Sequence, residues 1–372
     1  MTTETRPRIF HTEASIGLGG QEIRILGEAR WLIEHGWDCL IGCQPGSPLL
    51  SEARGAGLPV TAIRMRGAWD VAALLRLRTV MRAKRVALVH THSSVDSWLA
   101  TMAAKSLGLP VVRSRHVTIP IMKRRALVYR LADRIITTGE AVAARVRECG
   151  VPADRIVAIT AGVDTTRFHS GVSGKAVREE LGIGPGDRAV GLVANVRGSK
   201  GHAVFLDAAR EVLATHATAR FVIVGAGVGF DDVRRRVQAS GLARSVTMTG
   251  FRRDIPEVMA ALDVLVLPSI KSEATSQVIP QALAVGTPVA AAATGGIPEI
   301  VRDGETGYLV EPGNAAALAR AIRALLDDPD RARKMAAAGQ ALVRSRYSAD
   351  VTMAATTDVY RELLGSRSAA VS

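Results

Sequence analysis

Aromatic side chains are scarce: 4% of 372 residues, with all four tryptophans (Trp31, Trp37, Trp69 and Trp98) in the first hundred. So few rings, without any RNA- or DNA-binding motif, argue against a nucleic-acid ligand. There are three cysteines, Cys39, Cys43 and Cys149. That number is too small, and odd, for a disulfide framework, so a reducing cytoplasm is expected. Cys39 and Cys43 lie in an apolar, strand-like run and read as buried structural thiols rather than a metal pair. No long apolar run is present. The least polar stretch, Gln281 to Ile297, is broken by Gly286, Pro288 and Gly295-Gly296, so no membrane span is expected. The opening MTTETRPR has no apolar core and does not read as a signal peptide. A dinucleotide fingerprint is also missing. Gly225-Ala226-Gly227-Val228-Gly229 has Phe230 where a third glycine is needed, and reads as a strand-to-helix turn. Asp-x-Asp occurs once, at Asp328-Pro329-Asp330, where Asp and Pro stop one helix and start the next, so it implies no metal. No cofactor is expected.

Positive charge is abundant. The formal net charge is +13, and up to Arg167 there are 24 Lys and Arg against 14 Asp and Glu, whereas the remainder holds 24 against 21. A basic first half seeks an anionic partner, such as a phospholipid surface or a phosphorylated acceptor. Trp69–Val86 places Arg76, Arg78, Arg82, Lys84 and Arg85 around Leu74, Leu75, Leu77, Val80 and Met81, and Lys123, Arg124 and Arg125 form a second cluster. A helix that is basic on one side and apolar on the other can lie on anionic lipid; a sheet-packed helix with a solvated basic face is the alternative.

Apolar content of 48% and a length beyond one core predict two domains. Short β-branched runs alternate with helical patterns, the signature of parallel α/β sheets. Strands are expected near 8–12, 38–43, 60–63, 87–90, 111–114, 134–137 and 155–159, then near 189–194, 221–224, 246–249, 264–267, 289–292 and 307–310. Thr160 to Lys175, rich in Gly, Thr and Ser, reads as the linker. The expected fold is α/β, two doubly wound Rossmann-like domains facing a cleft: 1–167, 168–346, and a C-terminal helical segment 347–372.

Several constellations fall at predicted strand ends. Gly17-Leu18-Gly19-Gly20 follows the first strand and lets a ligand approach a helix start, or simply makes a tight turn. Arg197-Gly198-Ser199-Lys200 follows the first strand of the second domain and offers cations to a diphosphate, a solvated basic turn being the other reading. His90 and His92 share one strand end, but a metal site needs a third ligand that the sequence does not mark. His116 is the better candidate to touch a substrate. In Lys271–Ile300 a carboxylate, Glu273, precedes a helix, with Gln281 expected two turns along it and Thr275-Ser276-Gln277 at its start. An acid that grips hydroxyls beside a helix start that grips phosphate suits a sugar joined to a diphosphate.

These motifs, GLGGQE, ITAGVDTTRF, VANVRGSKGH and Lys271–Ile300, resemble glycosyltransferase family 4, the retaining nucleotide-sugar enzymes of GT-B fold, over nearly the whole chain. The resemblance implies a hexosyltransferase that uses a nucleotide-sugar donor without metal, of the kind that builds lipopolysaccharide, capsule or exopolysaccharide. It implies that Gly19 and Gly20 approach the donor phosphates, that Lys200 meets the diphosphate, and that His116 lies near the transferred sugar. Glu273 matches the acid that binds sugar hydroxyls, and backbone N–H groups around Thr275, Ser276 and Gln277 hold the diphosphate. Two positions depart from the pattern: Asn195 stands where the family has an arginine, which Arg197 replaces from two residues on, and Gln281 stands where a second acid holds the ribose. The expected acceptor is lipid-linked or a cell-envelope glycan, at the cytoplasmic face of the inner membrane. A same-fold epimerase or hydrolase, and a non-catalytic glycolipid-binding protein, are the competing readings.

Overall fold

The computed structural model describes residues 6–122, 126–271 and 273–371. The chain forms two compact units, 1–162 with 349–372, and 163–348. They divide at Gly162/Val163 and Ser348/Ala349, a few residues from the expected 167/168 and 346/347. Backbone pairing sets the limits: Val163 N donates to Tyr347 O at 2.7 Å and Val163 bridges Ser348, so the end of the proposed linker already belongs to the second unit.

The first unit carries a parallel sheet of β1 (Arg8–Glu13), β2 (Asp38–Cys43), β3 (Val60–Ala62), β4 (Val86–Thr91), β5 (Val111–Arg115), β6 (Arg134–Thr137) and β7 (Ile156–Ala158) in the order β3-β2-β1-β4-β5-β6-β7. The second carries β8 (Arg188–Val193), β9 (Ala219–Val224), β10 (Val246–Gly250), β11 (Val264–Leu267), β12 (Val289–Ala292) and β13 (Tyr308–Val310) in the order β10-β9-β8-β11-β12-β13. Central strands such as VLVL of β11 are apolar throughout because helices cover both faces. Fully burying one such Leu contributes about 1.5–3 kcal/mol.

Helix Ala349–Val371 belongs to the first unit, against whose core it buries Met353, Val359 and Tyr360 beside Ile25, Leu32, Cys39 and Cys43. Cys39 and Cys43 are free, buried thiols, and burial raises both above the usual thiol range. Asp328 caps helix Pro329–Leu342, accepting from Arg331 N at 2.9 Å with Pro329 in the first turn.

In both sheets the strand order reverses direction once, between β1 and β4 and between β8 and β11. Ligands of doubly wound sheets bind outside the carboxyl ends of the strands at such a point.

Candidate functional site

In the second unit the loops after β8 and β11 meet at the reversal point. Ile270 N donates to Ser199 O at 2.9 Å, tying the two loops together. Gly201 sits at φ +72°, and a Cβ there would lie 1.9 Å from Pro268 O. Only glycine allows this approach, which brings the Lys200 loop onto the Glu273 loop. Gly295, at φ +57°, is equally confined: its Cβ would lie 1.6 Å from Glu273 O. Two predicted residues are thereby brought into contact. Lys200 Nζ pairs with Glu273 Oε1, which also accepts from Ser269 Oγ at 2.7 Å. Glu273 is buried, and the Lys200 side chain is only 14% exposed. A buried carboxylate with a cation and a hydroxyl in fixed positions is a preorganised polar site.

Thr275, Ser276 and Gln277 precede helix Val278–Val285, Ser276 buried and the other two partly so. Gln281 lies in the first full turn of that helix, not two turns along, because the helix starts only at Val278. Asn195 and Arg197 are both exposed on the loop after β8. His202, which begins helix His202–Leu213, is buried, and burial lowers it to about 4.

In the first unit the glycine loop caps helix Gly20–Glu34. Glu22 accepts from Gly19 N at 2.7 Å and from Ser15 Oγ, which fixes the loop while Gly17 and Gly20 stay exposed. Just below, Glu13 accepts from Ser15 N at 2.7 Å and from Gln21 Nε2. Burial, then the charge of Asp96, raises the Glu13 carboxyl to about 7. Burial likewise raises Asp96 to about 6, although Ser93, His92 N and Thr12 donate to it.

His90 and His92 stand out in the sequence, but their companions do not. Parallel pairing sets His11 of β1 opposite His90 of β4, and helix Gly20–Glu34 adds Glu28. Donor atoms of His11, Glu28, His90 and His92 lie within 4.8 Å of one another, all four residues being buried. Nitrogen and carboxylate donors of this kind suit zinc. Hydrogen bonds already occupy much of the set. His90 Nδ1 meets Tyr360 Oη at 2.6 Å and Nε2 meets Ser114 Oγ at 2.8 Å, while Arg24 Nε donates to Glu28 Oε1 at 2.6 Å. Burial lowers His11 to about 4 and holds His90 and His92 well below the usual range, so all three are neutral at pH 7. His116, partly buried after β5, joins this group through His92 at 3.2 Å.

Of the basic patch, Arg76, Arg82, Lys84 and Arg85 are exposed and Arg78 is half-buried. Helix Val71–Ala83 turns Val71 and Leu75 outward on the same face, after a Trp69 that is 94% exposed. Lys123, Arg124 and Arg125 lie outside the described residues. No helix among the described residues is long and apolar enough to cross a membrane.

Two parallel α/β units, each with polar groups at its strand reversal, match the GT-B glycosyltransferases. HepE from Anabaena, solved with UDP, superposes with a TM-score of 0.85 at 22% identity, covering 96% of this chain and 100% of that one. The fold is GT-B. The model "Glycosyltransferase Family 4" matches residues 18–167 and "Glycosyl transferases group 1" matches 174–342. A D-inositol 3-phosphate glycosyltransferase of Streptomyces scabiei is 31% identical over 73% of this chain and 67% of its own length. The 2-deoxystreptamine N-acetyl-D-glucosaminyltransferase of Streptomyces fradiae is 29% identical over 94% and 92%. The chain belongs to this family of group 1, family 4-type glycosyltransferases.

Proposed function

We propose that the enzyme moves a hexose from a nucleotide-diphosphate sugar, with retention at the anomeric carbon, to a hydroxyl of an anionic acceptor, lipid-linked or phosphorylated, at the membrane surface. The Lys200–Glu273 pair at the β8/β11 reversal carries this reading. Glu273 takes sugar hydroxyls. Lys200 and Arg197 neutralise charge that develops on the departing diphosphate, so the chain itself supplies the cations. The acceptor oxygen bonds to the anomeric carbon on the face the diphosphate leaves, and its proton passes to the departing phosphate oxygen. Gly19 and Gly20 offer backbone to the donor phosphates, His116 reaches the transferred sugar, and Asn195, Thr275, Ser276, Gln277 and Gln281 line the donor. Gln281 holds the ribose as a neutral donor and acceptor rather than as a carboxylate.

The basic first unit favours an acceptor such as an inositol phosphate, the type named for one relative, over the dicationic 2-deoxystreptamine named for another. Exposed Trp69, Val71 and Leu75 amid Arg76, Arg82, Lys84 and Arg85 support peripheral binding to anionic lipid.

The test is a screen of nucleotide sugars for thermal stabilisation, starting with UDP-glucose, which HepE holds in another of its structures. Hits are then incubated with inositol phosphate, 2-deoxystreptamine or membrane lipid extract, and the product anomer is read by NMR. An inverted product refutes retention, and transfer to 2-deoxystreptamine alone refutes the anionic acceptor. Sugar isomers or free sugar without any transfer would restore the epimerase or hydrolase reading.

A further inference from the structure

Three histidines of the first unit form a file that the transfer reading uses only at its end. His11 Nδ1 lies 2.9 Å from His92 Nε2, and His92 Nδ1 lies 3.2 Å from His116 Nε2. The rings lie nearly coplanar and meet edge to edge, with interplanar angles of 17° and 22° and centroids 5.2 and 5.5 Å apart, as in-plane hydrogen bonds require. A neutral imidazole has one N–H and one lone pair, so both bonds must run in the same sense.

The buried end decides which. Were protons to point inward, from His116 towards His11, then His11 Nε2 would carry an N–H. That atom is fully buried and has no hydrogen-bond partner among the described residues. Outward-pointing protons leave only an unused lone pair there, and buried orphan N–H groups are the rarer of the two defects. Glu28 agrees: its unpartnered Oε2 lies 3.9 Å from His11 Nδ1, which favours the proton on Nδ1. Arg24, bound to Glu28 and to Ile159 O, holds that carboxylate in place.

We propose that His11 and His92 are positioning residues that lock His116 as its Nδ1–H tautomer, presenting that N–H as a donor on the ring edge turned away from His92. His90 stands outside the file, since Tyr360 and Ser114 occupy both its nitrogens. The tautomer assignment is independent of function; its effect on transfer rests on the reading of His116 as the sugar-facing histidine.

Long-range proton–nitrogen NMR on protein labelled with [15N]histidine tests it, with single substitutions assigning the signals. At pH 7.5 His116 is expected with Nδ1 protonated and Nε2 as acceptor. His92→Ala releases it into a mixture of tautomers, whereas His92→Asn, whose amide occupies the Nδ1 position, keeps the lock. A parent His116 protonated on Nε2, or a His116 unmoved by His92→Ala, overturns the proposal. So does about one equivalent of zinc per chain that His11→Ala removes, because the same nitrogens would then be ligands. UDP-glucose turnover gives a second readout. His92→Ala lowers kcat about 10–100-fold with little change in KM, and His92→Asn stays within about threefold of the parent. A parent inactive on UDP-glucose moves the turnover comparison to whichever nucleotide sugar the screen finds, while the NMR result still decides the lock.

Discussion

Lys200→Met separates what the Lys200–Glu273 pair does for stability from what it does for chemistry. Glu273 is buried, so removing its counter-ion leaves a carboxylate whose remaining side-chain donor among the described residues is Ser269. Breaking a buried pair from one side costs about 3–5 kcal/mol, and the partial exposure of Lys200 puts this case near the lower end. A unit of this size loses roughly 2–4 °C of melting temperature per kcal/mol, which gives a drop of about 6–12 °C. Lys200→Met with Glu273→Gln removes both charges while keeping the Ser269 hydrogen bond. That double variant is expected to recover most of the loss, with a coupling energy of about 2 kcal/mol. Turnover behaves differently. Each single variant and the double lose about 10²–10³ in kcat, because a stable but uncharged site no longer stabilises a leaving diphosphate. Thermal melts and product formation from the donor found by screening measure both. Additive melting losses would refute the buried pair, and a double variant with near-normal turnover would refute its catalytic role.

Gly295→Ala forces a methyl group onto Glu273 O, so it should displace the acid loop and abolish turnover at a cost of about 1–3 kcal/mol; a fully active variant would contradict that packing. Glu13, raised from 4.5 to about 7, holds an extra proton in the folded state, so its contribution to stability falls as pH rises between those values. Glu13→Gln should therefore melt higher than the parent at pH 8 and show no such gain at pH 5. His11 works in the opposite direction. Held at about 4 against 6.5 when unfolded, it contributes stability that is lost as pH falls through that window, and acid melts of His11→Gln should show a shallower decline. Neutralising Arg82, Lys84 and Arg85 should reduce flotation with phosphatidylserine liposomes roughly 100-fold, at about 1 kcal/mol per charge; unchanged flotation counts against the patch.

The strands were legible because buried parallel strands leave unbroken β-branched runs, as in VLVL of β11, and the loops because glycine at positions such as Gly201 and Gly295 has steric causes. Helix Val71–Ala83 was visible from its spacing, though its mixed face of Val71, Leu75 and Arg82 emerges only once the buried side is known. The start of the helix bearing Gln281 was misplaced: Thr275 and Ser276 are residue types that usually cap a helix, yet Gln277 occupies the cap position and the helix begins only at Val278. The histidine file was not legible. His11 and His90 meet through strand pairing, and residues 79 apart give no local sign of their register. Tyr360 reaches His90 from the far end of the chain.

That last contact bears on the order in which the protein is made. The first unit is not finished by its first 162 residues, because its core includes Met353, Val359 and Tyr360. The second unit is contiguous and is complete on the ribosome before those residues appear. Domains usually fold from the N-terminus as they emerge. Here the earlier-synthesised unit must wait with an open face beside Ile25, Leu32 and Cys39 until helix Ala349–Val371 is released. The vulnerable species during synthesis is therefore the first unit, and a premature stop between Ser348 and Tyr360 would leave a sound second unit attached to an unfinished first one.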